Sequence, residues 1–215
     1  MPRGSGIHFP VMKSASEKTL PRMPASVPVM VLGGAALLPH NCLPLYIFEP
    51  RYRAMLERAL ATDRLLAIAT PRNREGTQVL EVGCVGLLRA CVRNPDGTAH
   101  LILEGLSRVR FIGWPQLEPF RQAEVEPFAV GSAESGPALE RRLAFLRAAL
   151  RRFEPRLPQE LRERMAQINQ PEVLLDIAAG VLLRDESQWQ PILEEADSML
   201  RQRLLLRLLE EMEPS

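Results

Sequence analysis

Apolar residues in this chain change rhythm once. From residue 27 to 128 they come in short runs of Val, Leu and Ile punctuated by Gly and Pro, the pattern of strands and turns. From 136 to 213 Leu, Ala, Arg and Glu recur at the spacing of helices. The small and turn-forming residues of "AVGSAESGP" put a boundary near 129–137, so a strand-built lobe over 27–130 and a helical bundle lobe over 136–213 are expected. The first 26 residues are polar, rich in Pro and Ser and without period. They read as a disordered leader, with Met23 or Met30 as alternative starts.

The clearest strand unit is "EVGCVGLLRACVRNPDGTAHLILEGLSRVRF". "NPDG" carries Pro and Gly where a type I turn wants them, between two apolar runs, and predicts a hairpin. Strict alternation then points Leu88, Ala90 and Val92 one way and Arg89 and Arg93 the other. On the return strand it groups Leu101, Leu103, Val109 and Phe111 against His100, Glu104, Arg108 and Arg110. Gly105 marks a bulge or bend. With "LLAIAT" as a buried strand and "FRQAEVEPF" as a later one, short curling strands around one helix predict an α+β chain whose first lobe is a small β-barrel.

In the second lobe Leu139, Leu143, Leu146, Leu150 and Phe153 form an apolar stripe that Pro155 and Pro158 end. "PEVLLDIAAGVLL" is apolar nearly all round and therefore central. One long final helix is expected after Ser187 as cap, with Pro191 in its first turn, carrying Ile192, Ala196, Met199 and Leu200 into "RLLLRLLEEM".

The densest ionisable cluster lies in "LPLYIFEPRYRAMLERAL". A strand ends near Phe48, Pro50 suits a first helical position, and Glu49 sits at the positive end of the helix dipole. Tyr52, Met55, Leu56, Ala59 and Leu60 share a helix face, leaving Arg51, Arg53 and Arg58 for solvent or partners. Glu49 and Pro50 thus read as a structural joint, with Glu49 and one arginine as a buried pair pinning the corner.

"LPLYIFEPRYRAML" also resembles the signature of the LON substrate-binding domain, found in Lon proteases, cereblon-type adaptors and stand-alone bacterial proteins. The likeness continues through "EVGCVGLL", "PDGTAHLILEGLSRVRF", "AEVE", "LLDIAAGVLL" and "QPILEEADSMLRQRLLLRLL", covering about residues 27–213. It implies a stand-alone bacterial member with a PUA-like barrel lobe, one inserted helix and a helical lobe, and a role in recognising polypeptides.

Composition sharpens this. A chain 46% hydrophobic and 25% charged with a net charge of +1 has no general pull towards nucleic acid or anionic membrane. No run reaches the ~18 apolar residues of a membrane span. Three scattered cysteines point to the reducing cytoplasm.

The chemistry of a Lon protease proper is missing. A P-loop needs a Gly-Lys pair, which the sequence lacks, and a Ser–Lys dyad has only Lys13 and Lys18 of the leader to draw on. His8, His40 and His100 are scattered; His40 and Cys42 in "PHNC" are neighbours with no orienting acid. No metal-binding spacing occurs, and Glu194–Glu195 and Glu210–Glu211 ride polar helix faces. The arginines of "RRLAFLRAALRRFEPR", namely Arg141, Arg142, Arg147, Arg151, Arg152 and Arg156, are expected outside the apolar stripe. There they are solvated, or alternatively bind RNA phosphates.

The expectation is therefore a non-catalytic recognition module without cofactor or metal. Tyr46, Phe48, Arg51 and Tyr52 are its candidate contacts, beside an apolar crevice between the lobes. Its partner would be an unfolded or flexible polypeptide, with a protease or chaperone as a further partner; the alternative is an adaptor that docks to a protease or another large partner, and neither membrane nor nucleic acid is expected.

Overall fold

Alternation breaks twice in the long hairpin, and those two breaks decide which side chains face the helices. The computed structural model describes residues 23–128, 131 and 135–212. The expected leader falls outside them up to residue 22. Among the described residues the strands are β1 (Ser26–Val31), β2 (Cys42–Ile47), β3 (Leu65–Ala69), β4 (Val82–Arg93), β5 (Ala99–Gln116) and β6 (Arg121–Pro127), with α1 (Pro50–Ala61) between β2 and β3. Then come α2 (Gly136–Leu150), a 3-10 turn (Arg151–Arg156), α3 (Gln159–Gln167), α4 (Pro171–Leu182), α5 (Glu186–Glu194) and α6 (Ser198–Glu211). The fold is mixed α+β. The sheet runs β2-β5-β4-β3-β1-β6, and β5 also pairs with β6, so five strands make a cycle of pairings with β2 outside it.

The β4–β5 hairpin forms as "NPDG" predicts, closed by Gly97 N–H on Asn94 O and Asn94 N–H on Thr98 O. One register shift falls between Leu88 and Ala90. Arg89 is the extra residue, so the expected grouping of Leu88, Ala90 and Val92 is wrong. Leu88 is buried, whereas Ala90 and Val92 face out. The other shift lies where Gly86 meets Gly105 and Val85 meets Ser107, which leaves Leu106 as the extra residue. Beyond it the faces exchange. Leu101 and Leu103 belong to the large core shared with the helices, whereas Val109 and Phe111 join Val29, Ala67, Val85 and Val125 in a second cluster within the strands. Gly105 is fixed by close approach: the Leu38 carbonyl lies where its β-carbon would stand.

That exchange turns Arg108 inward, correcting its expected place on the polar face. It is buried against α4, with Nη1 and Nη2 donating to Asp176 Oδ2 and Oδ1, each at 2.7 Å. Its Nε donates to Leu193 O at 3.0 Å. Arg142, also expected outside, is buried as well. Its guanidinium reaches Gln202 Oε1 and Glu172 Oε1 at 2.8 Å each, and the Ser198 carbonyl. Arg147 donates to Ala166 O and Ile168 O. The remaining four arginines of that run are exposed.

The stripe of α2 packs inward from Leu143 to Phe153, and α4 is central as its composition demands, burying eight residues. The single long final helix is two helices instead. Asp185, not Ser187, caps α5 in a reciprocal capping box with Gln188. Asp197 then caps α6 by accepting from Met199 N–H and Leu200 N–H, and those hydrogen bonds depress its carboxyl pKa. Consequently Met199 and Leu200 lie at an exposed helix start. Arg201, fully buried, donates from Nη1 to Glu195 O at 3.3 Å, while its Nε and Nη2 have no hydrogen-bond partner. Burial, with the field of Arg108, drops its pKa to about 10. The expected apolar crevice between the halves is filled, because one core runs from Leu66, Cys84 and Leu103 to Leu146, Leu175 and Leu205.

Three variants test this core. Asp176→Ala strands Arg108 as a buried charge and is expected to cost about 3–5 kcal/mol in urea unfolding, whereas Arg108→Met with Asp176→Leu costs far less. Arg201→Met replaces an under-partnered guanidinium with an apolar side chain of similar length and is expected to raise the urea midpoint. A lowered midpoint would contradict the assignment of Arg201 as an electrostatic liability.

Candidate functional site

Strand β2 occupies the end of the sheet order, paired on one side by β5. Its exposure alternates as a half-buried strand requires, with Cys42, Pro44 and Tyr46 outward and Ile47 buried. Pro44 is at home there, because proline in a sheet is confined to edges and bulges. Register lines Tyr46 up with His100 and His100 with Val92, and the next row joins Pro44, Ile102 and Ala90. Tyr46 is 48% exposed, Phe48 59% and Val92 64%. The Tyr46 ring stacks on Phe48 at 5.9 Å between centroids and tilts on His100 at 4.7 Å. A row of exposed aromatic and apolar groups therefore borders an edge strand.

The joint from β2 to α1 forms where expected, with Pro50 in the first turn and Glu49 as N-cap residue. Its fastening differs. Glu49 accepts from Arg51 Nε at 2.8 Å, but the pair is open to solvent rather than buried and is worth at most about 1 kcal/mol. Tyr52 does the pinning instead. Its ring is in the core, and its hydroxyl donates to Val31 O at 3.0 Å and accepts from Val31 N–H at 3.3 Å. Burial, partly opposed by the Arg51 field, raises its pKa. Of the four sequence-proposed contacts, the structure brings Tyr46, Phe48 and Arg51 to the surface of one corner and takes Tyr52 beneath them. Arg51 lies over the Tyr52 ring, 4.5 Å from its centroid. Val92 and His100 complete the row. Alternation already turned His100 outward, but it could not find Val92, whose orientation is set by the bulge at Arg89.

A family model for the ATP-dependent protease La (LON) substrate-binding domain matches residues 26–211. The Lon protease of Desulfosudis oleivorans is 25% identical over 199 residues, covering 89% of this chain and 24% of that protein. The Lon protease of Roseiflexus castenholzii is 31% identical over 205 residues, 88% of this chain and 24% of its own length. The chain thus spans about a quarter of these relatives. Among solved structures, the N-terminal domain of a Mycobacterium avium complex Lon protease superposes with a TM-score of 0.70 at 20% identity, covering 87% of this chain and all of that domain. A Lon N-terminal domain protein from Xanthomonas campestris gives 0.60 at 22% identity, covering 88% of this chain and 99% of its own.

The ionisable groups at the opposite end of β2 are tuned against nucleophilic chemistry. Burial, reinforced by Glu104, raises the Cys42 thiol pKa, and burial lowers that of His40 despite an opposing field from Asp176. A thiolate–imidazolium pair needs both shifts reversed. Among the described residues no cluster of three potential metal ligands occurs. His40 has a left-handed φ of 65°, and its lowered pKa has a thermodynamic consequence. Because the unfolded chain binds the proton more tightly, this contribution is intact above the ordinary value of 6.5 and is lost as pH falls below it, until the folded value is passed. Urea midpoints should therefore fall on moving from neutral to mildly acidic pH. His40→Asn, which tolerates the same backbone, should show a shallower fall; equal slopes would refute it.

Proposed function

The chain belongs to the LON substrate-binding domain family, and on that premise we propose that it is a non-catalytic module that recognises unfolded or flexible polypeptides. The observation that carries this reading is the outer edge of β2, which no strand pairs among the described residues, bordered by the exposed row of Tyr46, Phe48, His100 and Val92. An extended segment adding to that edge gains backbone hydrogen bonds whatever its sequence, and the aromatic row rewards apolar side chains at alternate positions. Tyr46 and Phe48 are the contacts, Arg51 flanks them, and Tyr52 holds the corner in place. The relatives named as Lon proteases make protein substrates the natural ligand class, presented onwards to a protease or chaperone. We read the cycle of strand pairings as a small PUA-like barrel, and the strand-built and helix-built halves as two lobes of one domain. Three free cysteines fit a reducing cytoplasm.

The arginines left exposed on α2 and its 3-10 extension do not form a comparable surface. Arg152 and Arg156 stack on the Phe153 ring, and that ring is buried. Base stacking needs an open aromatic face.

Fluorescence anisotropy with a labelled, permanently unfolded carboxymethylated protein tests the reading. Saturable binding is expected, insensitive to moderate salt. Tyr46→Ser with Phe48→Ser should weaken it about tenfold, or about 1.4 kcal/mol, at unchanged melting temperature. No saturable binding, or a double variant that binds like the parent, would overturn it. Binding that collapses with salt and with Arg151→Ala and Arg152→Ala would move the function to RNA.

A further inference from the structure

Backbone hydrogen bonds change sides along a strand as side chains do, so parity decides which β2 residues offer their polar groups to the outer edge. Where the β4–β5 hairpin closes, Asn94 N–H donates to Thr98 O at 2.8 Å, which directs Thr98, His100 and Ile102 towards β4. Ala99, Leu101 and Leu103 then face β2, where they meet Ile47, Leu45 and Leu43 without a shift in register. At the other end of β2, Gly105 N–H donates to Asn41 O with the same parity. Cys42, Pro44 and Tyr46 therefore aim their backbone groups at the edge that no described strand pairs, and their side chains are exposed as well. Pro44 has no N–H to give. It divides the edge: Cys42 lies on one side, and the Pro44 carbonyl with the N–H and C=O of Tyr46 on the other. Past Tyr46 the strand ends at Ile47, and Pro50 starts α1. The ladder left open is short, and it coincides with the exposed rings of Tyr46 and Phe48.

We infer that Pro44 is a specificity-determining residue, which restricts this edge to short extended segments of about three to five residues with apolar side chains at alternate positions. The proposal rests on the polypeptide-recognition reading and adds the length of chain that is recognised. In antiparallel addition, the ligand residue opposite Tyr46 exchanges two backbone bonds with it. The residue opposite Pro44 donates its N–H to the Pro44 carbonyl, but its own C=O meets the proline ring where a donor should be. A parallel segment meets the same gap. Residues beyond it find no continuous ladder and add little. A long strand, including β2 of a second copy, carries the same break in its middle, so the edge stays available to short segments without joining other edges. The alternation of the ligand follows from the row itself, since side chains opposite Tyr46 and Pro44 fall on the face that carries the aromatic rings.

The test is a length series of fluorescein-labelled peptides of alternating Val and Thr, about three to nine residues long, with a lysine at each end for solubility. Affinity for the full chain should climb up to about five residues and then change by less than about twofold. Pro44→Thr supplies the missing N–H and should restore the climb, binding the longest peptide about tenfold more tightly than the parent does and the shortest with the least change. Melting curves show whether the variant is folded; if it is not, the parent's length series decides alone. An affinity that keeps climbing to the longest peptide in the parent, or a folded Pro44→Thr variant with the parent's plateau, overturns the inference. So does a parent whose light-scattering mass doubles as its peptide affinity is lost, since a second copy then holds the edge. If the climb never stops and Tyr46→Ser with Phe48→Ser weakens every length, this inference fails and the recognition reading stands. If no length binds, both fail.

Discussion

The interaction on which the junction of strands and helices most depends is the buried bidentate pair of Arg108 and Asp176. Both side chains are almost wholly buried, so each charge would cost several kcal/mol if left alone. The pair is tolerated because its hydrogen bonding is nearly complete. Two parallel N–H donations fill the carboxylate, and the remaining guanidinium donors reach the Leu193 and Ile192 carbonyls. Those carbonyls end α5, where the helix dipole is negative, and the Glu195 carbonyl beside them receives Arg201. A fork of fixed geometry inserted between β5, α4 and α5 permits few relative placements. Apolar surfaces alone would permit many. Arg201 shows the other side of this arrangement, since the same region buries a further guanidinium whose Nε and Nη2 donors are left unmet.

The orientation of Arg108 in turn depends on one extra residue. Had β5 run in regular alternation through Leu106, Arg108 would share a face with Glu104 and point away from the helices, as strict parity predicts. The local elements were legible: the type I turn at "NPDG", the Pro50 helix start and the apolar α4 each express short-range chemistry. The exchanged faces were not, because a bulge is settled by the partner strand and by what packs on it. Gly105 did announce a bend, though not its consequence for position 108. Arg142 escaped for another reason. A long arginine can cover an apolar stripe with its stem and then spend its head on Gln202, Glu172 and Ser198, a choice that helical periodicity cannot express. The break before α6 was written in Asp197 and was obscured by the apolar residues flanking it.

The second bulge does for the candidate site what the first does for the junction. At Arg89 it turns Val92 out and Cys91 towards the core, so that the row begun by Tyr46 and His100 continues onto β4. Edge strands in monomeric proteins are normally blunted by charge, by proline or by cover. Here Pro44 is joined by exposed aromatics, a poor solution for an edge meant only to avoid pairing. Surface apolar residues scattered singly need no explanation, but a contiguous row along an edge does.

How that row is held bears on how it can bind. Arg51 and Glu49, the conspicuous charges of the corner, are solvent-exposed and contribute little. The anchor is a buried tyrosine hydroxyl that both donates to and accepts from the Val31 backbone, tying α1 to β1. Tyr46 and Phe48 are therefore presented from a strand fixed on one side by the β5 ladder and at its end by Tyr52, so little protein ordering accompanies binding. On the proposed reading the ordering cost would fall on the extended polypeptide, which would set modest affinity and tolerance of many sequences as the natural working range of such a surface. Selectivity must then come from something other than side-chain pockets along the edge.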